Sequence, residues 1–380
     1  MPTPTPPNAS CQWLRAGDEI FPAMLAAIDA ARQSVCLEIY TFEDSPLGRE
    51  FAGALVGARE RGARVRVLVD AIGSVLLSNN FWDELRAAGG EVRVFNPVGL
   101  RRVTIRNHRK LLVCDEQVAF VGGFNISPDY EGDGVNDGWC DVGLKIGGPL
   151  AAELALSFGE MFERAEFLHK RFMRWRKSRA KKVVALPKGQ LLFSGPGRGR
   201  SPFRQSLRQD LAAAKDVRII VAYFLPTWRL QRDLLRVARR GGRVQLILAG
   251  KSDVPLAMLA ARSLYRRFLA RNVEIYEYQP QILHAKLVIV DGAVYTGSSN
   301  LDTRSLRINY ELMIRFEDAA LSARADEIFG DILKNCRRIT IEDWRRSQTF
   351  WQRLKQRWAY FLLNRIDPYV ARRQWRALPD

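Results

Sequence analysis

The chain has 380 residues, 47% of them apolar, which is more than one ordinary domain needs and suits two globular units of middling size. A formal charge of +18 and a pI near 10.1 call for an anionic partner, either nucleic acid or an acidic membrane surface. Five cysteines, odd in number and without C-x-x-C spacing, argue against a disulfide framework or a zinc site and fit a reducing compartment, and no apolar run is long enough to span a bilayer.

In chain order, residues 1–10 are proline-rich, lack the basic and apolar regions of a signal peptide, and read as an extended leader. Residues 11–168 form a first unit. It runs from a helix over Ala23–Arg32 to an apolar strand over Val35–Phe42, then a helix over Leu47–Arg61, a turn at Gly62 and a strand over Val65–Asp70. Strands over Glu91–Phe95 and Arg109–Cys114 complete it. A basic stretch over 169–187, carrying Phe172 and Trp175 among its charges, reads as a linker with equal claim to be a solvated connector or a surface for lipid headgroups.

The second unit, 188–338, repeats the same order. A helix over Leu207–Lys215 leads to a strand over Val217–Phe224, then a helix over Arg229–Arg240, the Gly241-Gly242 turn, and strands over Val244–Leu248, Val273–Tyr276 and Ala285–Val290. Two α/β units in tandem are the simplest account. Residues 339–380 form a basic tail. Helical spacing over 343–363 puts Trp351, Leu354, Trp358, Phe361 and Leu362 on one face and most of the charge elsewhere, a pattern that suits a helix lying in a membrane interface. The competing expectation is that this face packs on the protein body.

The repeat carries chemistry. His108-x-Lys110-x4-Asp115 and His284-x-Lys286-x4-Asp291 contain two of the chain's three histidines, and each is followed by a glycine turn, Gly122-Gly123 or Gly297-Ser298, and then an asparagine, Asn125 or Asn300. Facing one another, the copies offer a phosphodiester one imidazole to attack phosphorus and a second to protonate the departing alkoxide. Lys110 and Lys286, two residues along a strand, share the side of their histidines and meet the non-bridging oxygens, to which the asparagine amides also donate. Asp115 and Asp291, seven residues on, turn to the opposite face and are expected to be structural. An imidazole in this work also needs a carboxylate to fix its tautomer. Glu311 is the expectation for His284; for His108 it is Asp141, with Asp137 second.

These motifs resemble the phospholipase D superfamily, whose signature is H-x-K-x4-D-x6-G-[GS]-x-N in duplicate. The wording around them, Val121 to Tyr130, Trp139 to Asp141 and Gly297 to Leu306, is similar to bacterial cardiolipin synthases, and the similarity runs from about Cys11 to Glu342. One departure is visible: five residues separate Asp291 from Gly297, where six separate Asp115 from Gly122, which bears on the placement of Ser298. The resemblance implies two α/β/α sandwich domains in a bilobed unit, one active site at the pseudo-twofold interface, no metal or other cofactor, and a phosphohistidine intermediate. It also implies His108 as nucleophile and His284 as acid and then base. The expected reaction is transfer of a phosphatidyl group from phosphatidylglycerol, or phosphatidylethanolamine, to phosphatidylglycerol by an enzyme held peripherally on an anionic membrane, at the cytoplasmic face of the bacterial inner membrane. Hydrolysis of phospholipid is the nearest rival. A nuclease has no use for a tryptophan-bearing tail, so no nucleic-acid partner is expected, and the intact motif residues argue against a silent binding scaffold.

Overall fold

A computed structural model describes residues 10–78, 80–97, 105–165, 181–186, 188–197 and 199–366. The leader up to residue 9, most of the basic linker and the last part of the tail lie outside these residues. The first half builds a seven-stranded sheet in the order β1 (Cys11–Arg15), β7 (Val142–Gly147), β6 (Val118–Gly122), β5 (Leu111–Cys114), β2 (Ser34–Ile39), β3 (Arg64–Asp70), β4 (Glu91–Phe95). The second builds a nine-stranded sheet in the order β16 (Cys336–Ile339), β12 (Glu274–Tyr278), β11 (Arg243–Ala249), β10 (Asp216–Val221), β13 (Lys286–Val290), β14 (Ala293–Gly297), β15 (Glu311–Phe316), β9 (Gly189–Ser194), β8 (Lys182–Leu186). Six strands correspond one to one, β7-β6-β5-β2-β3-β4 with β15-β14-β13-β10-β11-β12, so the duplication in sequence is a duplication in topology.

Both central strands are apolar on both faces because both faces are covered. Leu112 and Cys114 of β5 pack under the helices Ala16–Ala30 and Pro46–Glu60, among Phe21, Met24, Phe51 and Leu55. Leu111 and Val113, on the other face, join a core shared with Leu287 and Ile289 of β13. Between the sheets lie the helices Pro149–Arg164 and Ala319–Lys334, whose Phe158, Phe162, Ile328 and Phe329 belong to that shared core. Val288 and Val290 of β13 face the helices Pro202–Asp210 and Trp228–Arg239. The two sandwiches are thus fused through one apolar core rather than joined only by the linker.

Several boundaries differ from expectation for physical reasons. The first helix begins at Ala16 and passes through Pro22, because burial of Ile20, Phe21, Met24 and Ile28 outweighs the local cost of the proline. Residues 182–186, placed in the linker by charge, form β8 against β9. At the other end, residues 336–339 pair with β12 as an edge strand, and the described part of the tail folds as two α-helices, Ile341–Ser347 and Phe350–Phe361, with a π-helical turn over Leu362–Ile366. The break falls at Thr349, whose side chain accepts from the Gln352 backbone while Gln352 reaches back to the Thr349 N–H.

Candidate active site

Each histidine sits just before a central strand, with Lys110 immediately ahead of β5 and Lys286 opening β13, where the chain is pinned by the opposite half. The His108 N–H donates to the Tyr310 carbonyl (3.0 Å) and the Tyr310 N–H to the Arg106 carbonyl (2.9 Å). In the second copy the His284 N–H donates to the Cys140 carbonyl (2.8 Å) and the Cys140 N–H to the Ile282 carbonyl (2.9 Å). The first segment is also held from below by buried polar groups. The Asn107 amide donates to Glu38 (2.7 Å), which pairs with Arg109 (3.0 Å), and the Asn107 N–H donates to Asp70 (2.8 Å). Burial raises the carboxyls of Glu38 and Asp70 above the usual range, against the pull of Arg109 and Arg106 respectively. In the second copy the residues corresponding to Asn107 and Arg109 are Leu283 and Ala285, and the same task falls to apolar packing.

The carboxylates cross over. His284 Nδ1 lies 2.7 Å from Asp141, and His108 Nδ1 lies 3.2 Å from Glu311. The expected pairing within each half is therefore wrong for both. Asp141 and Glu311 lie at the starts of β7 and β15, in their own sheets, but there the halves abut and each side chain reaches the other half's ring. Asp137 touches neither histidine; its side chain accepts from the neighbouring Gly138 N–H. A Cβ added at Gly123 would stand 2.5 Å from the Asp141 carboxylate, so glycine there makes room for it. At the corresponding position Ser298 donates its hydroxyl to Glu311 (2.5 Å). The shorter turn before Gly297, which has φ +147°, leaves Ser298 in contact with the site.

The cations are crowded. Lys286 Nζ stands 3.0 Å from His284 Nδ1, and Lys110 Nζ donates to the His108 carbonyl (3.0 Å) and lies 5.1 Å from the centre of the Tyr40 ring. Burial, reinforced by Lys286, brings Lys110 down to about 7, and burial lowers Lys286 as well. Both histidines are held neutral. Burial and then the two lysines push His108 well below its ordinary value; burial and Lys286 take His284 to about 4 even though Asp141 opposes them. The two carboxyls differ. Burial pushes Glu311 up to about 8, whereas for Asp141 burial is outweighed by His284 and Lys286 and the group stays ionised below the usual range.

Both rings open on one cavity of about 460 Å3, lined also by Asn125 and Asn300. The Asn125 amide donates to the Tyr130 hydroxyl (2.9 Å), and that hydroxyl lies 3.3 Å from His284. The side-chain oxygen of Asn300 is buried without a partner, which leaves it available to a ligand. Asp115 and Asp291 lie away from the cavity, as the seven-residue offset requires. Asp115 accepts from the N–H groups of Arg32, Gln33 and Ser34, and Asp291 from those of Lys215 and Asp216. Aromatic walls escaped the sequence reading: Tyr40 meets His108 edge-on at 4.9 Å, and Tyr130 and Trp139 flank His284 at 5.3 and 5.5 Å. Among the described residues no cluster of three or more His, Cys, Asp or Glu side chains is placed to hold a metal ion.

A family model described as "Cardiolipin synthase, PLD-like domain" matches residues 24–135 and 207–333. The chain is 30% identical over 368 residues to cardiolipin synthase B of Salmonella typhi, a match covering 95% of this chain and 89% of that one. The chain belongs to the phospholipase D-like cardiolipin synthase family. Its relatives also include cardiolipin synthase A of Cronobacter sakazakii, 29% identical over 92% of this chain and 74% of that one. The fold of this family member matches the crystal structure of a phosphatidylserine synthase from Haemophilus influenzae Rd KW20 with a TM-score of 0.73, over 95% and 94% of the two chains at 16% identity.

Proposed function

We propose that the chain is a cardiolipin synthase-like phosphatidyltransferase. The observation that carries this is the pair of neutral histidines, one from each half, opening on one cavity and each held by a carboxylate of the other half. His108 Nε2 attacks the phosphorus of phosphatidylglycerol, the bond to the glycerol headgroup breaks, and His284 gives the departing alkoxide its proton. The bound phosphodiester supplies the negative charge that makes a protonated His284 accessible from its depressed resting state, and ionised Asp141 supports that imidazolium. Lys110, Lys286, Asn125 and Asn300 hold the non-bridging oxygens, where charge grows in the transition state. In the second step His284 takes the proton from the primary hydroxyl of another phosphatidylglycerol, that oxygen attacks phosphorus, and the bond to His108 breaks to release cardiolipin.

The tail supports delivery from a membrane. The helix Phe350–Phe361 packs through Gln356 and Ala359, against the neighbourhood of Leu256, Leu259 and Ala260, and turns its apolar face outward. Phe350, Trp351, Leu354, Trp358 and Phe361 are exposed by 48 to 71% of their surface, and Leu363, just beyond, lines the catalytic cavity. An exposed aromatic face beside the cavity mouth, on a chain of charge +18, suits the interface of an anionic bilayer. No helix among the described residues is long and apolar enough to cross a membrane. The exposed aromatic face and the net charge support peripheral attachment, and the cytoplasmic face of the bacterial inner membrane is proposed as its place.

The test is to incubate the purified protein with phosphatidylglycerol vesicles, without added metal, and resolve the lipids. Cardiolipin with an equivalent of glycerol is the expected result. Phosphatidic acid alone would replace transfer by hydrolysis, and cleavage of single-stranded DNA without lipid turnover would replace both.

A further inference from the structure

Carboxylates line the catalytic cavity, Asp129 and Asp253 together with Glu43 and Asp302, which is unexpected in a chain of charge +18 whose substrate is an anion. The loop after Asn125 brings Asp129 to the cavity wall, and the loop after β11 brings Asp253. The Tyr223 hydroxyl donates to Asp253, 2.6 and 2.8 Å from its two oxygens. This group reaches His284 through Tyr130. Tyr130, whose hydroxyl touches His284, feels Asp141, Tyr223 and Asp253, and Asp129 is held above its usual value by burial and by Asp253. The pseudo-twofold does not repeat Asp129, although the loop after Asn300 brings Asp302 to the cavity. Four residues after Asn300, where Asp129 follows Asn125, the chain has Arg304, which lines the same cavity and lowers His108.

Carboxylates so placed repel the reacting phosphate and accept hydrogen bonds, so they fit the part of the substrate that carries donors. In an in-line displacement by His108 the departing alcohol points toward His284, whose neighbour Tyr130 lies beside Asp129 in the chain and near Tyr223 and Asp253. The partnerless Asn300 oxygen, in a side chain 98% buried on the same cavity, is an independent acceptor awaiting a ligand donor.

We infer that Asp129 and Asp253, with Tyr223, read the leaving headgroup of the donor lipid through an O–H or N–H group beyond its phosphate ester, as glycerol and ethanolamine carry and a simple alkyl alcohol does not. This rests on the phosphatidyltransferase reading and adds the determinant of donor choice. Asp253 keeps free acceptor capacity after the Tyr223 bond, since a carboxylate has about four lone-pair sites.

The test uses the full chain and vesicles containing phosphatidylglycerol, phosphatidylethanolamine or phosphatidylmethanol as donor, with release of the headgroup alcohol measured for each. The wild type is expected to release glycerol, ethanolamine or both at least about tenfold faster, as kcat/KM, than methanol, the factor one charge-assisted hydrogen bond supplies. Asp129→Asn with Asp253→Asn should bring that ratio to within about threefold. Both side chains lie at the surface of the cavity, so loss of folding is not expected, and an unchanged melting temperature checks this. A wild type that does not discriminate, or a double variant that keeps the ratio, overturns the inference while leaving phosphatidyl transfer intact. If the wild type releases no alcohol from any donor, the transferase reading fails and this inference with it.

Discussion

Replacing Asp141 by asparagine tests the crossed pairing with almost no change of shape. One carboxylate oxygen takes the Val142 N–H at 2.8 Å and the other the His284 ring at 2.7 Å. The carboxylate fills the space that a Cβ at position 123 would take, 2.5 Å away. An asparagine keeps its oxygen on the Val142 N–H, because an amide nitrogen cannot accept from it, and so turns its NH2 toward His284 Nδ1. That forces the ring into the tautomer with its proton on Nε2, and no anion remains to support the imidazolium. In serine proteases the same substitution beside a histidine base costs about 10,000-fold, so kcat should fall by about 1,000- to 10,000-fold here, or roughly 4 to 5 kcal/mol in activation free energy. Initial rates of phosphatidyl transfer from labelled phosphatidylglycerol measure it, with the melting temperature as a check on folding. A kcat within about tenfold of wild type would refute the assignment of Asp141 to His284.

Three other outcomes follow from the same geometry. Glu311 binds its proton up to about pH 8 in the folded state but only to about 4.5 unfolded, so its contribution to stability is complete below 4.5 and is lost as pH rises through 8. Glu311→Gln should therefore gain stability relative to wild type by up to about 5 kcal/mol between those limits in urea titrations, and a difference that does not vary with pH would count against the buried position of this carboxyl. Lys110, brought down to about 7 by burial and Lys286, must be charged to hold an oxyanion, so tungstate should bind more weakly as pH rises above 7, by up to about tenfold per pH unit; constant affinity from pH 6 to 9 would contradict this. Trp351→Ala with Trp358→Ala removes side chains that are 68% and 60% exposed, and should weaken binding to anionic vesicles at least about tenfold with little change in melting temperature. Unchanged sedimentation with vesicles would remove the tail from the account.

The duplicated topology and the motif residues were legible because the repeat is long and its chemistry-bearing side chains keep fixed offsets along strands. Lys110 with His108 and Asp115 away from both need only the twofold alternation of a strand. The carboxylate partners were not legible in the same way. Asp141 and Glu311 were found as residues, but which ring each serves depends on how the halves abut, and no spacing within a half encodes that. Tyr40, Tyr130, Trp139 and Tyr223 were missed as well. Tyr130 and Trp139 are ordinary loop aromatics until the other half brings His284 to them, whereas Tyr40 and Tyr223 meet His108 and Asp253 within their own halves, through strand-end and loop packing that no fixed spacing encodes. Charge misled at 182–186, where lysine and valine share an edge strand, and hydrophobic spacing alone left open which face of Phe350–Phe361 is covered.

In the proposed mechanism two half-sites make one covalent catalyst. Rapid quenching of a single turnover with phosphatidylglycerol labelled in its phosphatidyl group, followed by peptide mapping at alkaline pH where phosphohistidine survives, measures it directly. One label per chain is predicted, on His108, and its formation should be slowed severely by His284→Ala. Two labels per chain, one on each histidine, or turnover with no labelled histidine at all, would contradict the account.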